Sequence, residues 1–192
     1  MRMNHFFAKL ILLVCSIFII NSAVAAEPRA LIKTNLGDIT VELYSELAPV
    51  SVNNFINYVE SGFYIGLIFH RVIPDFMAQT GGFNDRLEKQ ITGKPIINEA
   101  SNGLSNERGT LALARTNNPN SATSQFFINL KDNKFLDRSG EQPQQAGYAV
   151  FGRVISGMEV VDKMALQPTG RKLHYKDVPL TNIVIEKITL LK

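Results

Sequence analysis

The sequence predicts a mainly β protein, a closed antiparallel barrel capped by two α-helices. Short runs of alternating, β-branched residues recur at close intervals, which argues against the regular strand–helix alternation of an α/β sheet. Only two stretches carry helical periodicity, and both are placed as end pieces. No Pro/Ser/Gly-rich tract divides the 192 residues, which are enough for one domain with a sizeable core.

The first 26 residues stand apart from that domain. Arg2 and Lys9 make a basic start, an unbroken apolar run extends from Leu10 to Ile20, and small residues from Ser22 to Ala26 precede Glu27. This is the three-part plan of a secretory signal peptide. An apolar centre of this length is too short to cross about 30 Å of hydrocarbon as a helix. Small residues at the −3 and −1 positions put cleavage after Ala25 or Ala26. The competing reading is an uncleaved anchor. A lipoprotein reading through Cys15 is disfavoured by Val14, which stands where a small residue is wanted.

In residues 27–192, the runs 30–35 and 39–44 alternate and are separated by Leu36-Gly37-Asp38, a hairpin signal with Gly-Asp at the turn. Val52, Phe55, Ile56 and Val59 then recur at spacings of one helical face, ending before Gly62. Further strands are expected at 67–72, 110–114, 125–130, 148–154 and 181–191. A second helix is expected over 157–165, with Val160, Val161 and Met164 inward. Two long polar segments, 81–108 and 131–147, fit no element. Loops of that length in a compact domain are usually functional walls, and the apolar pair Phe135-Leu136 within the second must pack on something.

Composition excludes more than it suggests. One cysteine forbids an intrachain disulfide, a CxxC motif and a cysteine-rich zinc site. Without Arg2 and Lys9, 18 basic residues face 17 acidic ones, a net charge of about +1, so neither nucleic acid nor a membrane surface is an expected partner. The three histidines are far apart in sequence, and HExxH, GxSxG, GxGxxG and GxxxxGK[ST] patterns are all lacking. No cofactor and no metal is implied.

What remains are dense blocks: Phe69-His-Arg-Val-Ile-Pro-Asp-Phe-Met-Ala-Gln-Thr-Gly-Gly-Phe83, Gly109-Thr-Leu-Ala-Leu-Ala-Arg115, Ser121-Ala-Thr-Ser-Gln-Phe-Phe-Ile-Asn129 and the stretch from Tyr148 to Lys163. Together they resemble the cyclophilin-type peptidyl-prolyl cis-trans isomerases, in the family's order and approximate spacing, from Ala30 to Leu191. The resemblance implies a closed eight-stranded antiparallel β-barrel capped by two α-helices. It also implies an isomerase that turns Xaa-Pro bonds in proline-containing polypeptides.

By that resemblance Arg71 is the catalytic donor. Phe76, Met77, Phe127 and Leu136 match positions lining an apolar proline pocket, and Gln79 and Gln125 match polar positions that orient Arg71 and meet the substrate backbone. Ala114 and Arg115 match the stretch meeting residues before proline by main-chain hydrogen bonds. Phe135 stands where many eukaryotic members carry tryptophan, so cyclosporin binding is expected to be weak. Tyr148 stands where many carry histidine and keeps an aromatic wall. Arg115 replaces a commoner asparagine and adds charge favouring acidic residues before proline. Thr80 follows Gln79 where many relatives run straight to glycine. His70 and Glu99 are read as structural, and His174 as solvated.

Phenylalanine and tyrosine at positions 135 and 148, with the leader, look like the bacterial periplasmic branch: a monomer assisting the folding of exported proteins. The alternative is a module that binds proline-containing segments as a chaperone, with catalysis incidental. Mass spectrometry of protein recovered from an exporting host is expected to place the mature N-terminus at Ala26 or Glu27; recovery with residues 1–26 intact overturns the leader.

Overall fold

The computed structural model describes residues 27–191; the expected leader with Cys15 lies outside the described residues. The strands are β1 (Arg29–Thr34), β2 (Gly37–Leu43), β3 (Arg71–Ile73), β4 (Met77–Thr80), β5 (Thr110–Leu113), β6 (Phe126–Asn129), β7 (Val150–Ser156), β8 (Thr169–Lys172), β9 (Tyr175–Pro179) and β10 (Ile185–Leu191). The helices are α1 (Pro49–Glu60) and α2 (Met158–Ala165). Eight strands form one antiparallel sheet in the order β10-β1-β2-β7-β5-β6-β4-β3, while β8 and β9 make a separate hairpin.

The sheet curls but is not a fully closed barrel. Its edges, β3 and β10, share no ladder. The gap is bridged by residues 66–69: Gly66 N–H donates to Ile185 O at 2.8 Å, Ile185 N–H to Leu67 O at 2.8 Å, and Phe69 N–H to Ile183 O at 2.9 Å, around the single bridge Ile68–Val184. Gly66, at φ +79°, turns the chain out of the extended state, so this pairing cannot lengthen into a ladder. The closure expected from the sequence is therefore a stitched seam.

Alternation divides the buried residues into two layers. In β4, β5 and β6, Ala78, Leu111, Leu113, Phe126 and Ile128 point into the main core, while Met77, Ala112 and Phe127 build a second cluster on the outer face. Inside, Phe55 of α1 meets Tyr64, Phe126 and Phe151, each at 5.5 Å between ring centroids. The inward residues expected on α2, Val160, Val161 and Met164, are all buried.

Polar groups fasten both helices, α1 at its N-terminus and α2 at its middle. Ala48 gives α1 no side-chain cap. Glu99, from the long loop, supplies one: its carboxylate accepts hydrogen bonds from Val50 N–H (3.0 Å), Ser51 N–H (2.8 Å) and Ser51 Oγ–H (2.6 Å), satisfying free amides at the positive end of the helix. Arg108 grips Asp162 of α2 through two hydrogen bonds from Nη2, at 2.9 and 2.8 Å, and donates to Leu130 O at 2.7 Å.

Three local expectations shift. The β1–β2 turn is Asn35-Leu36, since Thr34 pairs with Gly37; Gly37 is required because a Cβ there would lie 2.8 Å from Val160 Cγ2. Residues 77–80 form a strand within the motif block, and Thr80 continues it, fully buried, with its hydroxyl donating to Ile68 O at 2.9 Å. The β8–β9 hairpin has no counterpart in the sequence reading, because its residues do not alternate cleanly.

Gly157, at φ +87°, starts α2 against the β1–β2 hairpin, and a Cβ there would overlap Asp38 O and sit 2.9 Å from Ile39 Cα. Gly157→Ala is expected to destabilise the protein by about 2–4 kcal/mol, from the left-handed backbone and the overlap together. Urea denaturation measures it, and a loss under about 0.5 kcal/mol, the range of neutral surface changes, contradicts this account.

Candidate functional site

The outer layer of the sheet carries the site. Register places Arg71 opposite Gln79, Gln79 opposite Phe127, and Phe127 opposite Ala112, a single row across β3, β4, β6 and β5. With strands about 4.8 Å apart, the Arg71 backbone stands roughly two spacings from that of Phe127. Side chains of one row point to one face, so a guanidinium, an amide and a phenyl ring line up across the sheet.

Nine of the eleven residues expected from the sequence line one cavity of about 280 Å³: Arg71, Phe76, Met77, Gln79, Ala114, Arg115, Phe127, Leu136 and Tyr148. Met77 and Phe127 are buried and form its floor. Tyr148 stands edge-on to Phe127 at 5.8 Å. Gln125 lies just outside, lining the adjacent depression with Gln79, Ala114 and Arg115, and its Oε1 accepts from Gln79 Nε2 at 2.9 Å. Phe135 does not line the cavity. It is 72% exposed and stacks on Phe76 at 5.7 Å. Residues 134–136 form one 3₁₀ turn, whose successive side chains diverge by about 120°, so Leu136 turns inward and Phe135 onto the rim.

Arg115 behaves differently from its expectation. Nε donates to Gly147 O (2.8 Å), Nη1 to Thr116 O (2.9 Å) and Nη2 to Pro143 O (3.1 Å), while Cζ sits 4.7 Å from the centre of the Tyr148 ring. The guanidinium fastens the loop wall instead of presenting a free fork to a ligand. Ala114 N–H is also committed, donating to Gln125 O at 2.9 Å.

Sequence reasoning missed a buried polar web that holds the other wall. Asn133 Nδ2 donates to Phe76 O (2.8 Å) and to Asn129 Oδ1 (2.8 Å), and Asn129 Nδ2 donates to Thr110 Oγ1 (2.9 Å). Asp137 accepts from Ser105 Oγ (2.5 Å), Asn106 N–H (2.7 Å) and Asn106 Nδ2 (2.9 Å). Burial pushes the Asp137 carboxyl upward, but these hydrogen bonds together hold it below the usual carboxylate value. Phe76 and Leu136 are thus anchored from behind by asparagines, of which only Asn129 falls within a motif block.

His70 adjoins Arg71 but faces inward. It is 5% exposed and packs on Phe83 at 4.6 Å. Burial lowers its pKa to about 4, keeping the imidazole neutral. His174 is exposed in the β8–β9 turn, 4.0 Å from the Tyr175 ring. Among the described residues no group of three or more His, Cys, Asp or Glu is placed to hold a metal. The nine lining residues include no carboxylate, thiol or imidazole, so the cavity can grip an apolar ring and offer the charged donor of Arg71, but it is not built for nucleophilic attack.

The family model described as cyclophilin type peptidyl-prolyl cis-trans isomerase/CLD matches residues 29–190. The chain belongs to the cyclophilin-type peptidyl-prolyl cis-trans isomerases. A peptidyl-prolyl cis-trans isomerase of Acinetobacter baylyi is 50% identical over 182 residues, covering 95% of each chain. Peptidyl-prolyl cis-trans isomerase B of Escherichia coli is 52% identical over 157 residues, covering 82% of this chain and 96% of the relative. The crystal structure of a Cryptosporidium parvum cyclophilin superimposes with a TM-score of 0.72 at 26% identity, over 86% of this chain and 98% of that one. A second crystal structure of that cyclophilin, in the presence of the dipeptide Ala-Pro, gives 0.71 at 27% identity, over 85% and 99%. Like its family, this cyclophilin is an enzyme that isomerises Xaa-Pro peptide bonds, and its partners are proline-containing polypeptides.

The buried neutral His70 has a consequence for stability. Unfolded, an imidazole takes a proton near 6.5; folded, this one resists until about 4, so acidification through that window favours the unfolded chain. The loss is on the order of 3 kcal/mol, complete below the folded value. Urea denaturation of wild type and His70→Phe at pH 7 and pH 4 is expected to show this extra loss in wild type alone. Equal losses in both would sink the account.

Proposed function

We propose that Arg71 catalyses the rotation by donating a hydrogen bond to the prolyl nitrogen of the twisted amide. A planar peptide bond resists rotation by about 18–20 kcal/mol because the nitrogen lone pair is delocalised into the carbonyl. Halfway round, conjugation is lost and that nitrogen becomes an acceptor. A donor fixed beside it binds the twisted state better than either planar one, which is how differential binding accelerates a reaction. The observation that carries this reading is the cross-strand row: Arg71 lies on the same face as Phe127, at the rim of a cavity with an apolar floor sized for a small ring.

The other lining residues take supporting parts. Phe76, Met77, Phe127 and Leu136 hold the proline ring, and Tyr148 closes one wall with Arg115 behind it. Gln79, steadied by Gln125, meets the substrate backbone beside Arg71. Ala114 and Arg115 border the path of residues before proline. Phe135 offers its exposed ring at the rim, where it lacks an indole N–H, so cyclosporin binds weakly. The Ala-Pro dipeptide present with one of the two Cryptosporidium structures agrees with a site selecting proline.

The physiological reading is assistance to exported proteins in the periplasm. It rests on the secretory pattern of residues 1–26 and on the similarity to bacterial relatives. Among the described residues no helix is long and apolar enough to cross a membrane. We read the mature domain, residues 27–192, as a monomer.

A charged hydrogen bond made mainly in the twisted state contributes about 1.5–3 kcal/mol, roughly 10- to 150-fold in rate. Arg71→Ala is therefore expected to lower kcat/KM by that factor on a Xaa-Pro peptide, by NMR exchange or a protease-coupled assay, with the fold intact. Equal acceleration by both proteins removes Arg71 from the donor role. Peptide binding by wild type without acceleration turns the reading to a chaperone that holds proline-containing segments.

A further inference from the structure

We propose that Asp177, from the β8–β9 hairpin, is a positioning residue that holds the Arg71 guanidinium in its working orientation; this rests on the reading of Arg71 as the donor. Among the described residues the Arg71 side chain donates no hydrogen bond, and the neighbouring Gln79 gives its amide N–H to Gln125. The one ion pair Arg71 makes there is with Asp177, whose Oδ2 lies 3.7 Å from Arg71 Nε. That contact meets the inner nitrogen of the guanidinium. It leaves the donors of the two terminal nitrogens uncommitted, on a side chain that lines the proline cavity.

Stability does not explain the pair. Both side chains are more than 40% exposed, and pairs so solvated contribute little to folding. Orientation does, because a long half-exposed arginine has many rotamers and a nearby fixed charge selects among them. The hairpin is built to keep that charge fixed. Asp177 sits at φ +60°, a conformation that L residues other than asparagine and aspartate seldom adopt, and this directs it out of the β9 pleat. The next residue, Val178, is fully buried in a small satellite core with Ile68, Phe83 and Leu87. Tyr175 adds an edge-on contact with Phe83 at 5.0 Å. This satellite core clamps the hairpin against residues 68–71, the segment that delivers Arg71. A second cavity of about 320 Å³ opens between them, lined by His70, Arg71 and Gln79 on one side and by Tyr175, Lys176 and Asp177 on the other. The arginine thus stands between two hollows, and Asp177 occupies the one opposite the proline slot.

The test is a double-mutant cycle on an Xaa-Pro peptide. Asp177→Asn, which tolerates the left-handed backbone, is expected to lower kcat about three- to tenfold with KM nearly unchanged, and to have no effect in an Arg71→Ala background. Its melting temperature should match wild type. The Arg71 Nε–H resonance in ¹⁵N NMR should become more mobile in the variant. Asp177→Gly, equally tolerant of the backbone, repeats the measurement should the asparagine variant fold poorly. Asp177→Asn at wild-type activity, with Arg71→Ala impaired, overturns this proposal alone. An equal loss in both backgrounds also overturns it, since the effect is then structural. Full activity of Arg71→Ala overturns the donor reading, and this one with it.

Discussion

Register between four short strands sets everything the site does. Arg71, Gln79, Phe127 and Ala112 are brought opposite one another only because β3, β4, β6 and β5 pair without a slip. A shift of one residue in any of them would exchange inner and outer faces. It would send Phe127 into the main core and Phe126 into the slot. The two layers police that register jointly, since both faces of β4, β5 and β6 are buried and neither tolerates the other's residues. The chemistry asks for little beyond this placement: a ring pocket, a donor and a surface that stays still while the amide turns.

Walls are harder to build than floors, and here they are built from loops. The Phe76 and Leu136 side is tied down by Asn106, Asn129, Asn133 and Asp137, and the Tyr148 side by Arg115 reaching three carbonyls. Loops carry free backbone groups that must find partners. Spending asparagine amides on those groups turns a long irregular segment into a rigid face. Glu99 does the same at a distance, joining the 81–108 loop to the N-terminus of α1.

Much of this was legible in the sequence, for reasons that can be named. Periodicity marked the inward faces of both helices, and the motif blocks gathered eight of the nine residues that the fold brings around one cavity, with Leu136 added from the loop 131–147. Where the reading erred, tertiary contact overrode local pattern. Gly37 looked like a turn residue but is glycine because Val160 packs over it. Phe135 and Leu136 read as one apolar pair, yet a 3₁₀ turn sends them to different surroundings. Arg115 read as added charge at the groove, and the fold also commits its donors to the carbonyls of residues 116, 143 and 147, contacts no local pattern announces. The β8–β9 hairpin was silent because Thr169–Lys172 and Tyr175–Pro179 hold polar residues on both faces and gain their order from a satellite core distant in sequence.

The stitched seam also bears on how the molecule comes into being. β1, the first of the described strands, pairs along its length with β10, the last of them, and the bridge at Ile68–Val184 needs that same later stretch. Such contacts span most of the polypeptide, so they give high contact order and slow, late-stage consolidation. Until β10 is available, the β1 edge of the sheet has no partner strand among the described residues. This isomerase therefore cannot complete its sheet vectorially as it emerges; β10 acts as the clasp, and the nascent form must wait, exposed, for it to arrive.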